Sequence, residues 1–366
     1  MREFPDCQSM ILNHRLSQYF EKKGENIMNH KRLRILLILS FIILIGILQD
    51  NLYAQEWAKV FGGEGLDNVY SIYQTEDQGY ILAGTTKIIG KGNDDDVWVI
   101  KTDASGDILW QKVLGHNGDD GVYSIQQTSD KGYITVGKFY SYSNLQIDKL
   151  WIVKFDRDGN ILWHKTYGGN SWDKGHFIRQ TSDGGYIVSG ETNSFGIGGD
   201  MYLLKLDENG EIIWEKAFGG TGKEYATSVQ QTFNGYIVAG GTDSFGAGKE
   251  DIFILQLDVR GNILWQKTYG GSENDYANSI KQTSDGDYIV AGETNSFGVG
   301  GGDIWLMKLD KNGEITWEKA YGGTGKEYAT SVQQTSNGYI VAGGTDSFGA
   351  GKEDIFILQL DASGNI

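Results

Sequence analysis

The sequence predicts an all-β fold: a six-bladed β-propeller of four-stranded antiparallel blades, with the ring closed by the N-terminal strand. Three observations predict it. A unit of 51–53 residues recurs from Trp57 to the last residue. Each unit holds four short strand-like runs separated by tight-turn residues. The two ends of the repeat region supply complementary parts of one further unit.

The period is read from a Trp followed two residues later by Lys, at Trp57, Trp110, Trp163, Trp214, Trp265 and Trp317. Such a period signals a solenoid, propeller or array. A Gln-Thr pair keeps step at Gln74-Thr75, Gln127-Thr128, Gln180-Thr181, Gln231-Thr232, Gln282-Thr283 and Gln334-Thr335. Residues 214–258 and 317–361 differ only at Phe218/Tyr321 and Phe233/Ser336. A two-unit block therefore reads as duplicated. The repeats run 57–109, 110–162, 163–213, 214–264, 265–316 and 317–366.

The fifth copy shows the strands best, at about Asn278–Thr283, Tyr288–Glu293, Asp303–Leu309 and Glu314–Tyr321. Ser284-Asp285-Gly286 and Lys311-Asn312-Gly313 supply the positive φ of tight hairpins. Tyr288–Ala291 and Ile304–Met307 are apolar at both parities, as in strands covered on both faces. Sheets stacked around an axis give that cover. With 53 Gly and one Pro, the composition suits many short strands and tight turns.

The head of the repeat region, Gln55–Lys59, reads as a fourth strand lacking its first three. The tail, Asp361–Ile366, reads as the turn leading into a fourth strand. Joined, they complete one blade and leave no open edge. The alternative is a fragment of a longer ring, in which the matching ends are coincidence.

Ahead of the repeats, residues 1–27 are unpatterned and read as a misassigned or disordered leader. Residues 28–54 read as a signal peptide: a basic stretch, the apolar run Ile35–Leu48, and a small residue at Ala54. Secretion, or residence in the periplasm or at the cell surface, is the expectation. An uncleaved anchor is the rival. After cleavage no stable membrane span is expected, since the apolar run is short for one.

The net charge is −16, and cleavage would remove seven basic and five acidic residues. So acidic a chain disfavours nucleic acid as a partner. A protein or glycan partner is expected. The single cysteine, Cys7, precedes the repeats.

Units of the form GGxxxDxxxSIxQTxDGGYIVAGxTNSFGxGxxDxWLxKLDxNGxIxWxK resemble the repeats of secreted bacterial and archaeal surface-type β-propellers. The resemblance covers residues 57–366 and implies the fold more than an activity. Leu309–Trp317 is similar to the Trp-docking motif of quinoprotein-like propellers. It has one residue fewer between Asp and Gly, so a quinone cofactor is not implied.

In a four-strand meander, the loops after the second and fourth strands share a face opposite the tight hairpins. That face has the longer loops and is the expected binding face. It carries an acid in every copy: Asp67, Asp120, Asp173, Glu224, Asp275 and Glu327. A second series runs Asp96, Asp200, Asp251, Asp303 and Asp354. Two readings stand: a ring of carboxylates binding Ca²⁺, or acids that accept backbone N–H bonds within their own loops. No other cofactor is expected. Asp156–Asn160 begins like a Ca²⁺ loop but lacks its downstream acids.

Phe195, Phe245, Phe297 and Phe348 in the long loops are candidate ligand contacts. The second unit breaks the pattern with Phe139, Tyr140 and Tyr142, and is the expected place for a private binding role. The regularly placed Trp residues read as inter-blade packing. The repeat-region histidines, His116, His164 and His176, fall at unrelated repeat positions and suggest no metal cluster or triad. Three arginines, with Arg157 and Arg260 in the tight turns, do not make a sialidase-like site. A non-enzymatic binding or structural module of the cell envelope or extracellular space is the expected function. The alternatives are a multivalent lectin-like propeller and a carboxylate-based glycoside hydrolase.

Overall fold

The structure, a computed structural model, describes residues 57–87, 94–116, 118–141 and 147–366. The expected leader, the signal peptide and Tyr142 lie outside the described residues. The chain divides into Met1–Trp57 and Ala58–Ile366, and the second unit is the propeller.

Its strands run in chain order through six sheets. Blade one holds β1 (Asp67–Gln74), β2 (Tyr80–Thr86), β3 (Asp96–Thr102) and β4 (Ile108–Leu114). Blade two holds β5 (Gly121–Gln127), β6 (Tyr133–Ser141), β7 (Ile147–Phe155) and β8 (Ile161–Tyr167). Blade three holds β9 (Asp173–Gln180), β10 (Tyr186–Thr192), β11 (Asp200–Leu206) and β12 (Ile212–Phe218). Blade four holds β13 (Glu224–Thr232), β14 (Gly235–Thr242), β15 (Asp251–Asp258) and β16 (Ile263–Tyr269). Blade five holds β17 (Asp275–Gln282), β18 (Tyr288–Thr294), β19 (Asp303–Leu309) and β20 (Ile315–Tyr321). Blade six holds β21 (Glu327–Gln334), β22 (Gly338–Thr345) and β23 (Asp354–Asp361). Every pairing is antiparallel, as expected of meanders. The six first strands together line one axial channel.

Apolarity at both parities is explained by what each face meets. In blade five, Tyr288 and Val290 pack towards Ile252 and Ile254 of blade four. Ile289 and Ala291 face the other way, towards Val332 and Val341 of blade six. Each such side chain contributes about 1.5–3 kcal/mol when fully buried. The fourth strands face water on one side and accordingly alternate, as in β20.

Five such cores join the blades pairwise from one to six. Among the described residues none joins blade six to blade one. Val69 and Ile72 on β1 and Ile355 and Ile357 on β23 are correspondingly exposed. Residues 58–63 form no strand, and β23 pairs with β22 alone among the described residues.

The Trp landmark is an inter-blade clamp. Trp110, Trp214 and Trp265 donate from Nε1 to Arg157, Val259 and Lys311 carbonyls in the third-to-fourth-strand turn of the next blade. Gly313 of that turn has φ of 77°. A Cβ there would lie 3.0 Å from the Trp265 ring, so both the backbone and the space demand glycine.

The Gln-Thr landmark is a second clamp. Gln127, Gln180, Gln231 and Gln334 accept from backbone N–H groups of Glu76, Ser129, Ser182 and Ser284 in the preceding blade. The adjoining threonine bonds the turn Asp, which also holds a buried Lys: Lys101–Asp77, Lys154–Asp130, Lys205–Asp183 and Lys308–Asp285. Blades four and six lack this turn Asp and carry Gln256 and Gln359 in place of the Lys. Gln256 is satisfied by Tyr288 and Thr232. Charge and countercharge disappear together, as burial requires.

Candidate functional site

The loop-face acids open the first strands and hold their own loops. Asp67 accepts from Gly63 N–H and Asp120 from His116 and Tyr140 N–H. Asp173 and Asp275 take Gly169 and Gly271 N–H together with Ser194 and Ser296 hydroxyls. Glu224 and Glu327 take Gly220 and Gly323 N–H together with Thr242 and Thr345 hydroxyls. These bonds match the loop-holding reading of the acids.

Four of the acids, Asp120, Glu224, Asp275 and Glu327, also share a glycine with the Asp that opens the preceding blade's third strand. Asp200 with Glu224 and Asp303 with Glu327 flank Gly219 and Gly322. Burial and then the facing carboxylate push Asp200 and Asp303 upward. Burial takes Asp120 to about 6, against the pull of two backbone N–H bonds. Among the described residues, no group of three or more His, Cys, Asp or Glu side chains is placed to hold a metal.

The loop phenylalanines are half-exposed lids. Phe195, Phe245, Phe297 and Phe348 lie 5.1–5.6 Å from Tyr202, Phe253, Trp305 and Phe356, each on its own blade's third strand. One face of the ring is packed and the other meets solvent.

Blade two reaches the same stacking by another route. Phe139, within β6, lies 5.4 Å from Trp151. His116 stands edge-on to Phe139 and His164 edge-on to Trp151. These four rings wall a groove of about 780 Å³, with Lys165 and Glu211 at its lower end. Tyr140 turns instead towards Gly118. The sequence brought His116 and His164 into no cluster; the loop between β4 and β5 carries His116, the outer strand β8 carries His164, and both lie against the aromatic pair. The signal was present, because the other blades carry Gly at the first position and Gln, Glu or Ala at the second.

A further set of residues lies in the axial channel. Each first strand carries a β-bulge at the same place, opposite a register shift such as Ala277/Ser279. The extra residues are Tyr70, Tyr123, His176, Thr227, Asn278 and Thr330. They hand contacts around the axis: Tyr70 to Tyr123, Tyr123 to His176, and His176, Thr227 and Asn278 to carbonyls of Ala226, Ala277 and Ala329. Below this ring lie Arg179 and Lys281.

The fold defines a repeat-built β-propeller, with candidate surfaces on its loop face, on blade two and along its axis. The chain belongs to the family described as outer membrane protein assembly factor BamB, whose profile matches residues 148–365. It is 27% identical to the regulatory protein FlaEY of Caulobacter vibrioides over 26% of this chain, which spans only 12% of that protein's length. Among solved structures it resembles a protein of unknown function from Dyadobacter fermentans, with a TM-score of 0.50 and 12% identity over 81% of this chain and 95% of that one. It also resembles Sqt1 from Chaetomium thermophilum, with a TM-score of 0.47 and 15% identity over 82% and 70%. At such identities the likeness shows the fold alone, and this fold hosts enzymes and non-enzymes.

Proposed function

We propose that this chain is an exported, non-enzymatic binding module of the cell envelope that takes an extended polypeptide segment in the groove of blade two. The observation that carries the reading is the aromatic wall His116–Phe139–Trp151–His164. It is found where one blade departs from the loop pattern shared by blades three to six, and a private ligand needs such a departure. Membership in a family described as an outer membrane assembly factor favours a protein partner, and the apolar run at Ile35–Leu48 favours export. The groove combines apolar rings with a few polar groups, as binding clefts do.

The test is a peptide array probed with the mature protein and with the variant H116G/H164E, which restores residues used at those positions by other blades. Peptide binding lost in the variant supports the groove. Equal binding, or none, removes it. A second reading, a multivalent glycan binder, rests on the half-exposed Phe rings repeated in four blades. A glycan array with F297A and F348A tests it, and binding that survives both changes counts against it.

A further inference from the structure

The residue before the Gln-Thr pair lines the axial channel in five blades, as Tyr73, Gln126, Arg179, Lys281 and Gln333, and is Gln230 in blade four. Three blades use glutamine there, and two use a cation. Both cations are drawn to one ring: the Arg179 guanidinium lies 5.1 Å and the Lys281 ammonium 5.8 Å from the centre of Phe177. Phe177 itself stands where the other five blades have Ser71, Ser124, Ser228, Ser279 and Ser331. Among the described residues no carboxylate forms an ion pair with either cation, in a chain of net charge −16.

The surroundings favour an acceptor that the chain does not provide. Arg179 Nη1 donates to Gln126 Oε1 at 3.4 Å, which fixes the orientation of that amide. Its other end, Gln126 Nε2, is buried and has no partner. A buried donor without an acceptor is costly. The cavity lined by these residues measures about 200 Å³. That is the space of about seven waters, which suits a small ion.

We infer that the axial channel binds a small oxyanion between Arg179, Lys281 and the Gln126 amide. A planar guanidinium matches carboxylate or phosphate oxygens in a bidentate fork, and a lysine adds a point charge. A dianion suits the two positive charges. The inference is independent of the blade-two groove.

The titratable groups facing Lys281 are Arg179 on β9 and Tyr73 on β1; β5, β13 and β21 present neutral glutamines and serines. Burial, and then Arg179, bring Lys281 down to about 8. Binding of an anion therefore draws in a proton under mildly alkaline conditions.

The experiment is titration calorimetry on the full mature chain in chloride-free buffer, with inorganic phosphate in one arm and succinate in the other. R179Q and K281Q serve as variants, since glutamine already occupies this position in three blades and the fold tolerates it. The expected result is binding of at least one probe, weakened about tenfold or more by each substitution, or about 1.4 kcal/mol each. Weaker binding at pH values above that of Lys281 titration accompanies it. Phosphate alone or succinate alone identifies the phosphoryl or carboxylate class. No binding of either probe up to about 10 mM, or affinities within about twofold in R179Q/K281Q, overturns the inference.

Discussion

Lys59 Nζ lies 2.8 Å from Asp107 Oδ1, in the turn between β3 and β4. Lys267 makes the same reach to Glu314 across the junction of blades four and five, and Lys216 to Asn262 across that of blades three and four. In each of those pairs the lysine belongs to the fourth strand of the preceding blade. Lys59 therefore stands, relative to blade one, where the fourth strand of a preceding blade stands. In a six-membered ring that blade is the sixth, in which β23 pairs with β22 alone among the described residues.

If the segment around Lys59 completes blade six, deleting residues 58–63 exposes the edge of β23. Hydrogen exchange is expected to accelerate at Asp354–Asp361, far away in sequence, and at β1. Acceleration confined to residues 64–75 would refute closure.

Lys281 provides a pH test. Its folded value of about 8 lies below the ordinary 10.5, because burial and Arg179 disfavour the charge. The unfolded chain thus binds more protons between these values, and stability from this group rises as pH rises through that window. K281Q is expected to stabilise the protein by about 1–3 kcal/mol near neutrality, with the advantage shrinking as pH rises through that window and gone above the ordinary lysine value. Thermal melts across that range check it. An advantage that does not change with pH would assign it to packing rather than charge.

The pairing of buried Lys308 with the exposed Asp285 predicts non-additivity. D285N leaves an ammonium that is 6% exposed with a weakened partner set. Because Asp285 is largely exposed, the expected loss is about 1–2 kcal/mol rather than the full cost of an orphaned buried charge. K308Q in the same chain recovers part of it, as Gln256 already serves blade four. Urea unfolding of the double-mutant cycle measures the coupling; strictly additive losses would mean that the two side chains are independent.

Gly313 predicts a position-specific cost. G313A must adopt φ of 77° and press a methyl group against Trp265. A loss of about 1–3 kcal/mol is expected. G63A, where a Cβ meets nothing within 4 Å, is the control and should change little. Equal melting temperatures for the two variants would remove the steric account.

The frame was largely legible in the sequence. β19 spans the expected Asp303–Leu309 residue for residue, because its centre, Ile304–Met307, is apolar at both parities, as a strand covered on both faces requires. β17 begins at Asp275, three residues before the expected start at Asn278. The bulge at Asn278 adds a residue and throws the first half of the strand out of phase with a two-residue alternation. The same break hid the channel, because Arg179 and Lys281 follow the bulge in strands whose alternation it disrupts. Their signal was the contrast with Gln126, Gln230 and Gln333 in the other copies. The grouping of His116 with His164 was hidden differently, since nearly fifty residues separate them and only the packing of blade two brings them to one wall.

The bulge has a consequence for how such a molecule can change. Because it inserts one residue without a partner across the strand pair, the side chains that follow it towards the axis line the channel, although Phe177 also packs against the core between blades three and four. Single codon changes, one per blade, can therefore recompose the tunnel from hydroxyl to aromatic to cationic while the stacked sheets stay as they are. A scaffold made by copying one unit thus acquires individuality from the inside, at the positions where duplication had left it most uniform.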